Sequence, residues 1–301
     1  MKVFLIFNTA CFGDNLVCNA LCQNIKRISP DSKVVFVVDK PFYEAAKYQK
    51  CVDDVIIYDK KFTHKGIIGL ARFVKEFPYK GAYASFITYR NLRNLWVSYL
   101  VGAKHIYQNC KLKDDISTQL QILNLLQGLT KETLKNVPIS YESPNCSKFD
   151  KYFEGDRNCI ALCTLTKNPT KDIPLATAVG IIKTLSPKYK IIYTGAGNVA
   201  EEYAKALCDC GLEFINLVNK TSVAELAAVL RKCKALISAD TGTMHLGCAV
   251  GIPTVAVFYE NNTLGKWAPD RGLYKSVLIR EEQTPQNICA QTLNLIGDFN
   301  E

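Results

Sequence analysis

The sequence predicts an α/β protein built from two parallel-sheet domains, and three observations carry that reading. Apolar, strand-like runs alternate with helix-length segments from the first residues onward. The alternation breaks across Asn136 to Arg157, where Pro138, Ser143-Pro144-Asn145 and Gly155 accumulate, and it then restarts. At 301 residues and 48% apolar content the chain can bury two modest cores. The expected division is 1–154, 155–284 and a terminal helical segment, 285–301, for which the amino-terminal domain is a candidate packing surface.

In the first half, Val3 to Phe7, Lys33 to Val38, Asp54 to Ile57 and Tyr83 to Ile87 read as strands, separated by segments of helical periodicity. Parallel strands need crossover connections, which those segments supply. The first crossover helix is expected to begin at Asp14, carry Leu16, Val17, Ala20, Leu21 and Ile25 on one face, and stop near Ser29-Pro30. Gln119 to Leu126 reads as a further helix. In the second half, strands are expected at Cys159 to Thr164, Tyr189 to Thr194, Glu213 to Leu217, Ala235 to Ser238 and Thr254 to Phe258. Helices are expected at Leu175 to Leu185, Val199 to Cys210, Ser222 to Lys232 and Pro285 to Phe299, the last with Ile288, Leu293 and Ile296 near one face. Ligands of such sheets collect outside the carboxyl ends of the strands, so a cleft between two such ends is the expected binding place.

Composition narrows the classes. The apolar run Val3 to Phe7 is interrupted by Asn8, Thr9 and Asp14 before it could serve as a secretory or membrane-spanning segment, and no other run is long enough. Thirteen scattered cysteines, among them Cys11, Cys51, Cys159 and Cys233, fit no compact disulfide framework and imply a reducing cytoplasm. With three histidines and no Cys-x-x-C pair, a metal site is not expected. The net charge of +9 is uneven: residues 1–150 carry 21 Lys and Arg against 13 Asp and Glu, whereas residues 151–301 carry 16 against 15. Basic residues such as Lys60, Lys61, Lys65, Arg90, Arg93, Lys104, Lys111 and Lys113 could face an anionic lipid or an acidic substrate, or simply water. No nucleic-acid reader motif is present.

The most informative stretch is Ile237-Ser238-Ala239-Asp240-Thr241-Gly242-Thr243-Met244-His245-Leu246, an apolar strand running through an Asp-Thr-Gly turn into a small-residue helix. A glycine turn followed by the free N–H groups and positive dipole end of a helix suits an anion such as phosphate. An ordinary turn capped by Asp240 or Thr241 is the competing explanation. Gly195-Ala196-Gly197-Asn198-Val199-Ala200 has the form of a dinucleotide fingerprint, but the acidic residue expected at the end of the next strand is missing, since that end reads Asn216-Leu217-Val218. A nicotinamide or flavin cofactor is therefore disfavoured, and no cofactor is expected.

Three blocks, Lys220 to Leu230, Asp240 to Leu246 and Gly251-Ile252-Pro253-Thr254-Val255-Ala256-Val257-Phe258, resemble glycosyltransferase family 9, the heptosyltransferases of lipopolysaccharide core assembly. A fourth block, Thr9-Ala10-Cys11-Phe12-Gly13-Asp14, resembles that family's Gly-Asp turn after its first strand. The resemblance implies a GT-B fold of two Rossmann-like domains facing a central cleft, with acceptor bound by the amino-terminal domain and ADP-heptose by the carboxy-terminal one. It further implies an inverting, metal-independent transfer on the cytoplasmic face of the inner membrane, in peripheral contact with that membrane. A basic acceptor domain would attract an anionic, lipopolysaccharide-type acceptor.

By the same resemblance, Asp14 is the candidate base, with capping of the next helix as its alternative role. Lys171 matches the phosphate-contacting lysine, and the N–H groups of Thr241, Gly242 and Thr243 would meet leaving-group charge. Asp240 could accept from sugar hydroxyls, and His245 could touch phosphate or simply pack. Thr166 and Lys167 are further lining candidates, Gly195 with Glu201 or Glu202 falls where a ribose contact is expected, and Thr221 falls where the adenine pocket is lined. Thr9 and Gly13 complete the donor-side candidates, although Ala10 and Cys11 stand where the family often has hydroxyl residues. Cys11 has no matched histidine that would make it a nucleophile. Two other readings stay open: a transferase or epimerase of the same architecture using another nucleotide sugar, and a non-catalytic nucleotide or carbohydrate binding module.

Overall fold

A computed structural model describes residues 1–153, 158–260 and 264–297. The chain divides into two compact units, Met1–Glu142 and Ser143–Glu301. The domain boundary expected at 154/155 and the last residues of the expected terminal helix, 298–299, lie outside the described residues.

The first unit runs β1 (Val3–Phe7), α1 (Phe12–Leu16), α2 (Asn19–Ile28), β2 (Lys33–Val38), α3 (Tyr43–Lys47), β3 (Asp54–Ile57), α4 (Gly66–Glu76), β4 (Ala84–Ile87), α5 (Leu92–Leu100), β5 (His105–Gln108) and α6 (Thr118–Leu123). Its five strands order as β3-β2-β1-β4-β5 with every neighbouring pair parallel. Both faces of the sheet are buried, Leu5, Phe7, Val35 and Val37 on one and Phe4, Ile6, Val34 and Phe36 on the other, which is why β1 and β2 read as unbroken apolar runs. The chain leaves β1 in one direction to form β2 and returns on its other side as β4, so the sheet's switch point lies between β1 and β4. The loops carrying Asp14 and Tyr89 leave those two strand ends.

The single helix expected from Asp14 is two helices. The Asp14 carbonyl accepts from Asn8 Nδ2 at 2.8 Å and from Cys18 Sγ at 3.1 Å, while the Cys18 backbone N–H bonds back to Asn15 at 3.3 Å. A side chain from the end of β1 thus helps end α1 after one turn. Near the close of this unit the chain runs back over α2, fastened by Asn24 to Lys135 at 2.9 Å and by Asn19 to Ser140 at 2.8 Å.

The second unit contains β6 (Cys159–Cys163), α7 (Leu175–Leu185), β7 (Lys190–Tyr193), α8 (Asn198–Asp209), β8 (Ile215–Asn216), α9 (Val223–Leu230), β9 (Ala235–Ala239), α10 (Gly242–Ala249), β10 (Thr254–Val257), α11 (Leu264–Trp267), β11 (Ser276–Ile279) and α12 (Pro285–Ile296). The strands order as β11-β10-β9-β6-β7-β8, again wholly parallel. Its switch point lies between β6 and β9, so the loops after those strands share one crevice at the carboxyl edge. Two edge strands, β5 and β11, escaped the sequence reading: each is only four residues long, and polar His105 and Gln108 stand at the ends of β5 and Ser276 at the start of β11.

The terminal helix is part of the second unit. Ile288 and Cys289 of α12 are buried in the core that α7 and the second sheet build, and Cys289 Sγ lies 3.9 Å from the Ile181 carbonyl of α7. This part of its apolar face is therefore buried within its own unit.

Candidate functional site

The crevice at the second sheet's switch point is built by two loops. After β6, Asn168 caps a short 3-10 turn, Pro169–Lys171, with its side chain accepting from Thr170 N. The Thr166 hydroxyl accepts from Asn168 N at 3.0 Å and donates to the Asn168 carbonyl at 2.7 Å, and Thr166 N donates to Asp172 Oδ1 at 2.6 Å. Thr166 therefore shapes this loop, and Lys167 stands exposed on it. The turn delivers Lys171, whose Nζ donates to Asp240 Oδ2 at 2.8 Å across the crevice. Both side chains are largely withdrawn from water, 16% and 7% exposed, so each charge relies on the other.

After β9, Thr241 is the N-cap of α10 in extended conformation, φ −143°, and its own side chain makes no capping hydrogen bond. The first N–H groups of a helix lack intrahelical partners, so Gly242 and Thr243 present donors and the dipole's positive end beside the Lys171–Asp240 pair. One helical turn on, His245 is buried and packs edge-on to Trp267 with ring centroids 5.9 Å apart. Burial pulls its imidazole down to about 4 against the opposing charge of Asp240, so the ring is neutral near pH 7. It can offer a hydrogen bond but no positive charge.

Neighbouring strand ends hold the remaining candidates. Gly197, at φ +91°, caps α8, and its N–H donates to Asn219 Oδ1 at 2.7 Å, while Asn219 Nδ2 donates to Glu201 Oε1 at 2.7 Å. The Gly195 carbonyl accepts from Asn219 N at 3.1 Å. An asparagine side chain thus takes up the Gly197 N–H, a donor of the kind a dinucleotide's pyrophosphate uses, and holds Glu201 beside this turn. Glu202, next along α8, is exposed. Thr221 precedes α9, whose start is closed by a Ser222–Glu225 capping box.

In the first unit, Asp14 occupies the third position of α1 and Gly13, just before it, is buried. Asp14 Oδ2 accepts from Cys11 N at 3.0 Å, so the carboxylate closes a capping box in place of serving as the N-cap itself. Thr9 Oγ1 accepts from Lys60 Nζ at 2.6 Å and from Asn94 Nδ2 at 3.3 Å. Burial pulls the Lys60 ammonium pKa down, with Asp39 opposing. Arg93 is committed to structure: its Nε donates to Tyr58 Oη at 2.6 Å and its Nη2 to the carbonyls of His64 and, at 2.7 Å, Gly66.

Several residues at these strand ends were not singled out by the sequence reading. The Tyr89 hydroxyl, just beyond β4, is buried without a hydrogen-bond partner, and burial first and then the charge of Asp14 hold the phenol protonated. Glu260, beyond β10, accepts from the Thr170 hydroxyl and from Asn168 Nδ2 at 3.4 Å. Asp172 and Asn219 are the hidden fasteners of their loops. Only Glu260 carried a usable cue, an acidic residue directly after an apolar strand.

Comparisons with known proteins agree with this architecture. The chain is 25% identical over 297 residues to lipopolysaccharide heptosyltransferase 1 of Campylobacter coli, covering 86% of this chain and 84% of that one. It is 28% identical over 153 residues to lipooligosaccharide heptosyltransferase 2 of Haemophilus influenzae, where the match spans 48% of this chain and only 41% of the relative. Among solved structures, a glycosyl transferase family 9 protein from Veillonella parvula superimposes with a TM-score of 0.86 at 16% identity, covering 99% and 98% of the two chains. An E. coli heptosyltransferase solved with ADP gives a TM-score of 0.77 at 16% identity, covering 98% and 100%. These likenesses identify the two Rossmann-like units as those of the GT-B fold. The description "Glycosyltransferase family 9 (heptosyltransferase)" matches residues 101–293, close to two thirds of the sequence, and the chain belongs to that family.

Proposed function

We propose that the chain transfers a heptosyl group from ADP-heptose, with inversion, to an anionic lipopolysaccharide-type acceptor. The observation that carries this reading is Lys171 Nζ, 2.8 Å from Asp240 and beside a helix start whose N-cap residue, Thr241, makes no side-chain capping bond. Diphosphate needs a cation and oriented N–H donors, and this crevice supplies both without a metal. The solved relative with ADP supports adenosine diphosphate as the leaving group.

In this reading the carboxy-terminal unit holds the donor. Lys171 and the N–H groups of Thr241, Gly242 and Thr243 take the charge that develops on ADP, with the Thr241 hydroxyl as a further donor. Asp240, released from Lys171, accepts from sugar hydroxyls, and neutral His245 adds a hydrogen bond. Gly195 and Glu201 border the ribose, and Thr166, Lys167 and Thr221 line the outer pocket. The amino-terminal unit binds the acceptor, with Asp14 removing the proton from the attacking hydroxyl, and Thr9 and Gly13 contribute to the donor side. The attacking oxygen bonds to the anomeric carbon as the bond to ADP breaks, and configuration inverts. The acceptor is lipid-borne, and the protein works at the cytoplasmic face of the inner membrane.

The test has two arms. Asp14→Asn abolishes transfer from ADP-heptose while leaving ADP affinity, measured by calorimetry, within about twofold. Persisting transfer sinks the base assignment. In a thermal-shift series of ADP-, UDP-, GDP- and CDP-sugars, stabilisation is confined to the ADP-sugars; a response confined to UDP-sugars overturns the heptose reading.

A further inference from the structure

Large apolar side chains left in water concentrate in one part of the first unit. Phe62 is 79% exposed, Ile67 83%, Ile68 81% and Trp96 58%, and Leu92, Tyr99 and Leu100 are also exposed. Leu92, Trp96 and Tyr99 follow a spacing of four and three, which places them in one stripe along α5. Ile67 and Ile68 sit in the first turn of α4, preceded by Phe62. The two helix starts are tied together, since Arg93 of α5 donates to the Gly66 carbonyl at 2.7 Å. A run of this kind on one face marks an interaction surface, because scattered single residues are the ordinary pattern.

Charge identifies the partner. Between residues 60 and 100 the chain carries eight Lys and Arg against one acidic residue, Glu76. Lys61, Lys65, Arg72, Lys75 and Arg90 are exposed among these apolar groups. A second copy docking face to face would set like charge against like charge. A nucleic acid would be met by cations but would leave the aliphatic side chains in water. Aliphatic and aromatic side chains ringed by cations match a bilayer whose headgroups are anionic, the apolar groups entering the acyl boundary and the cations staying at the phosphates.

We infer that Phe62, the first turn of α4 and the outer stripe of α5 form a docking face for an anionic phospholipid bilayer. The face adjoins the Asp14 turn: Lys60, next to the patch, and Asn94 of α5 both bond Thr9 Oγ1, at 2.6 and 3.3 Å, five residues before Asp14. Docking would hold that turn at headgroup level, where a lipid-borne acceptor presents its sugars. In this respect the inference rests on the transferase reading above, although the patch is independent of it.

The experiment is vesicle flotation of the full chain with phosphatidylcholine alone or mixed with phosphatidylglycerol. The wild type floats with the anionic vesicles and stays behind with the neutral ones. Ile67→Ser with Ile68→Ser weakens binding about tenfold or more, and Lys61→Gln with Lys65→Gln weakens it by about tenfold, each without altering the melting temperature. No flotation of the wild type, unchanged flotation of the isoleucine variant, or a wild-type dimer that the isoleucine variant dissolves would each overturn the proposal. Transfer to a water-soluble, acyl-free acceptor is followed in parallel and is retained in the isoleucine variant. If flotation fails while that transfer persists, only the docking face is lost; if flotation persists without transfer from ADP-heptose, only the transferase reading is lost.

Discussion

Lys171 and Asp240, 2.8 Å apart, hold each other in the second unit's crevice. A diphosphate must compete with Asp240 for the ammonium and accept a carboxylate nearby, so the pair weakens the binding of ADP alone. A complete nucleotide sugar regains that loss, because its hydroxyls give the freed carboxylate new donors. Asp240→Asn is therefore expected to bind ADP about tenfold more tightly while transfer falls at least about a hundredfold. Calorimetry with ADP and initial rates with the sugar nucleotide check the two halves. Weaker ADP binding in the variant would show that Asp240 supports the diphosphate instead of opposing it.

Tyr89 presents a different kind of unmet demand. Its hydroxyl is buried with no hydrogen-bond partner, close enough to Asp14 for that charge to help keep the phenol protonated. An unsatisfied buried hydroxyl costs stability, so Tyr89→Phe should leave the fold unchanged or more stable by about 1 kcal/mol in urea titration. If the hydroxyl turns to the carboxylate during the reaction, its loss removes a donor that favours the charged base. The acid limb of the kcat/KM profile then moves to higher pH in the variant. An unmoved limb would make Tyr89 a packing residue only.

The contrast between these two sites shows what was legible beforehand. The Asp240 turn is contiguous in sequence, strand then Asp-Thr-Gly then helix, so local chemistry alone pointed to an anion site. Its ion pair joins residues 69 apart and exists because β6 and β9 are neighbours, which no local pattern states. Tyr89 and Glu260 acquire their surroundings in the same way, from strand order. Within the fold, the buried central strands were readable as apolar runs, whereas the edge strands β5 and β11 were not. The break between α1 and α2 was hidden because Asn8, outside the helix, captures the Asp14 carbonyl.

His245 makes the stability of the second unit depend on pH. Burial lowers its imidazole from 6.5 to about 4 in the folded chain, so the unfolded chain binds the proton first as pH falls. The stabilisation is present in full above pH 6.5 and is lost progressively toward about pH 4. Over that window the folded state should lose about 3 kcal/mol relative to His245→Gln, in which the linked proton uptake is gone. Urea midpoints of the two proteins at pH 7, 5.5 and about 4 measure the difference in slope. Parallel slopes would mean that the imidazole charges without leaving its site.

Gly247 sets how closely α10 lies on the sheet, and so where its first N–H groups point. A Cβ at that position would come within 2.6 Å of Leu236 Cδ2 and 2.8 Å of Thr254 Oγ1, on β9 and β10. Both neighbours are buried strand residues. Gly247→Ala must therefore push the helix outward or strain the strands, at a cost of about 1–3 kcal/mol. The displaced helix also carries Gly242 and Thr243 away from Lys171, so ADP affinity should fall along with stability. Chemical denaturation and calorimetry on the same preparation separate the two effects. A variant that lost stability but bound ADP normally would show that the helix start keeps its place while the strands yield.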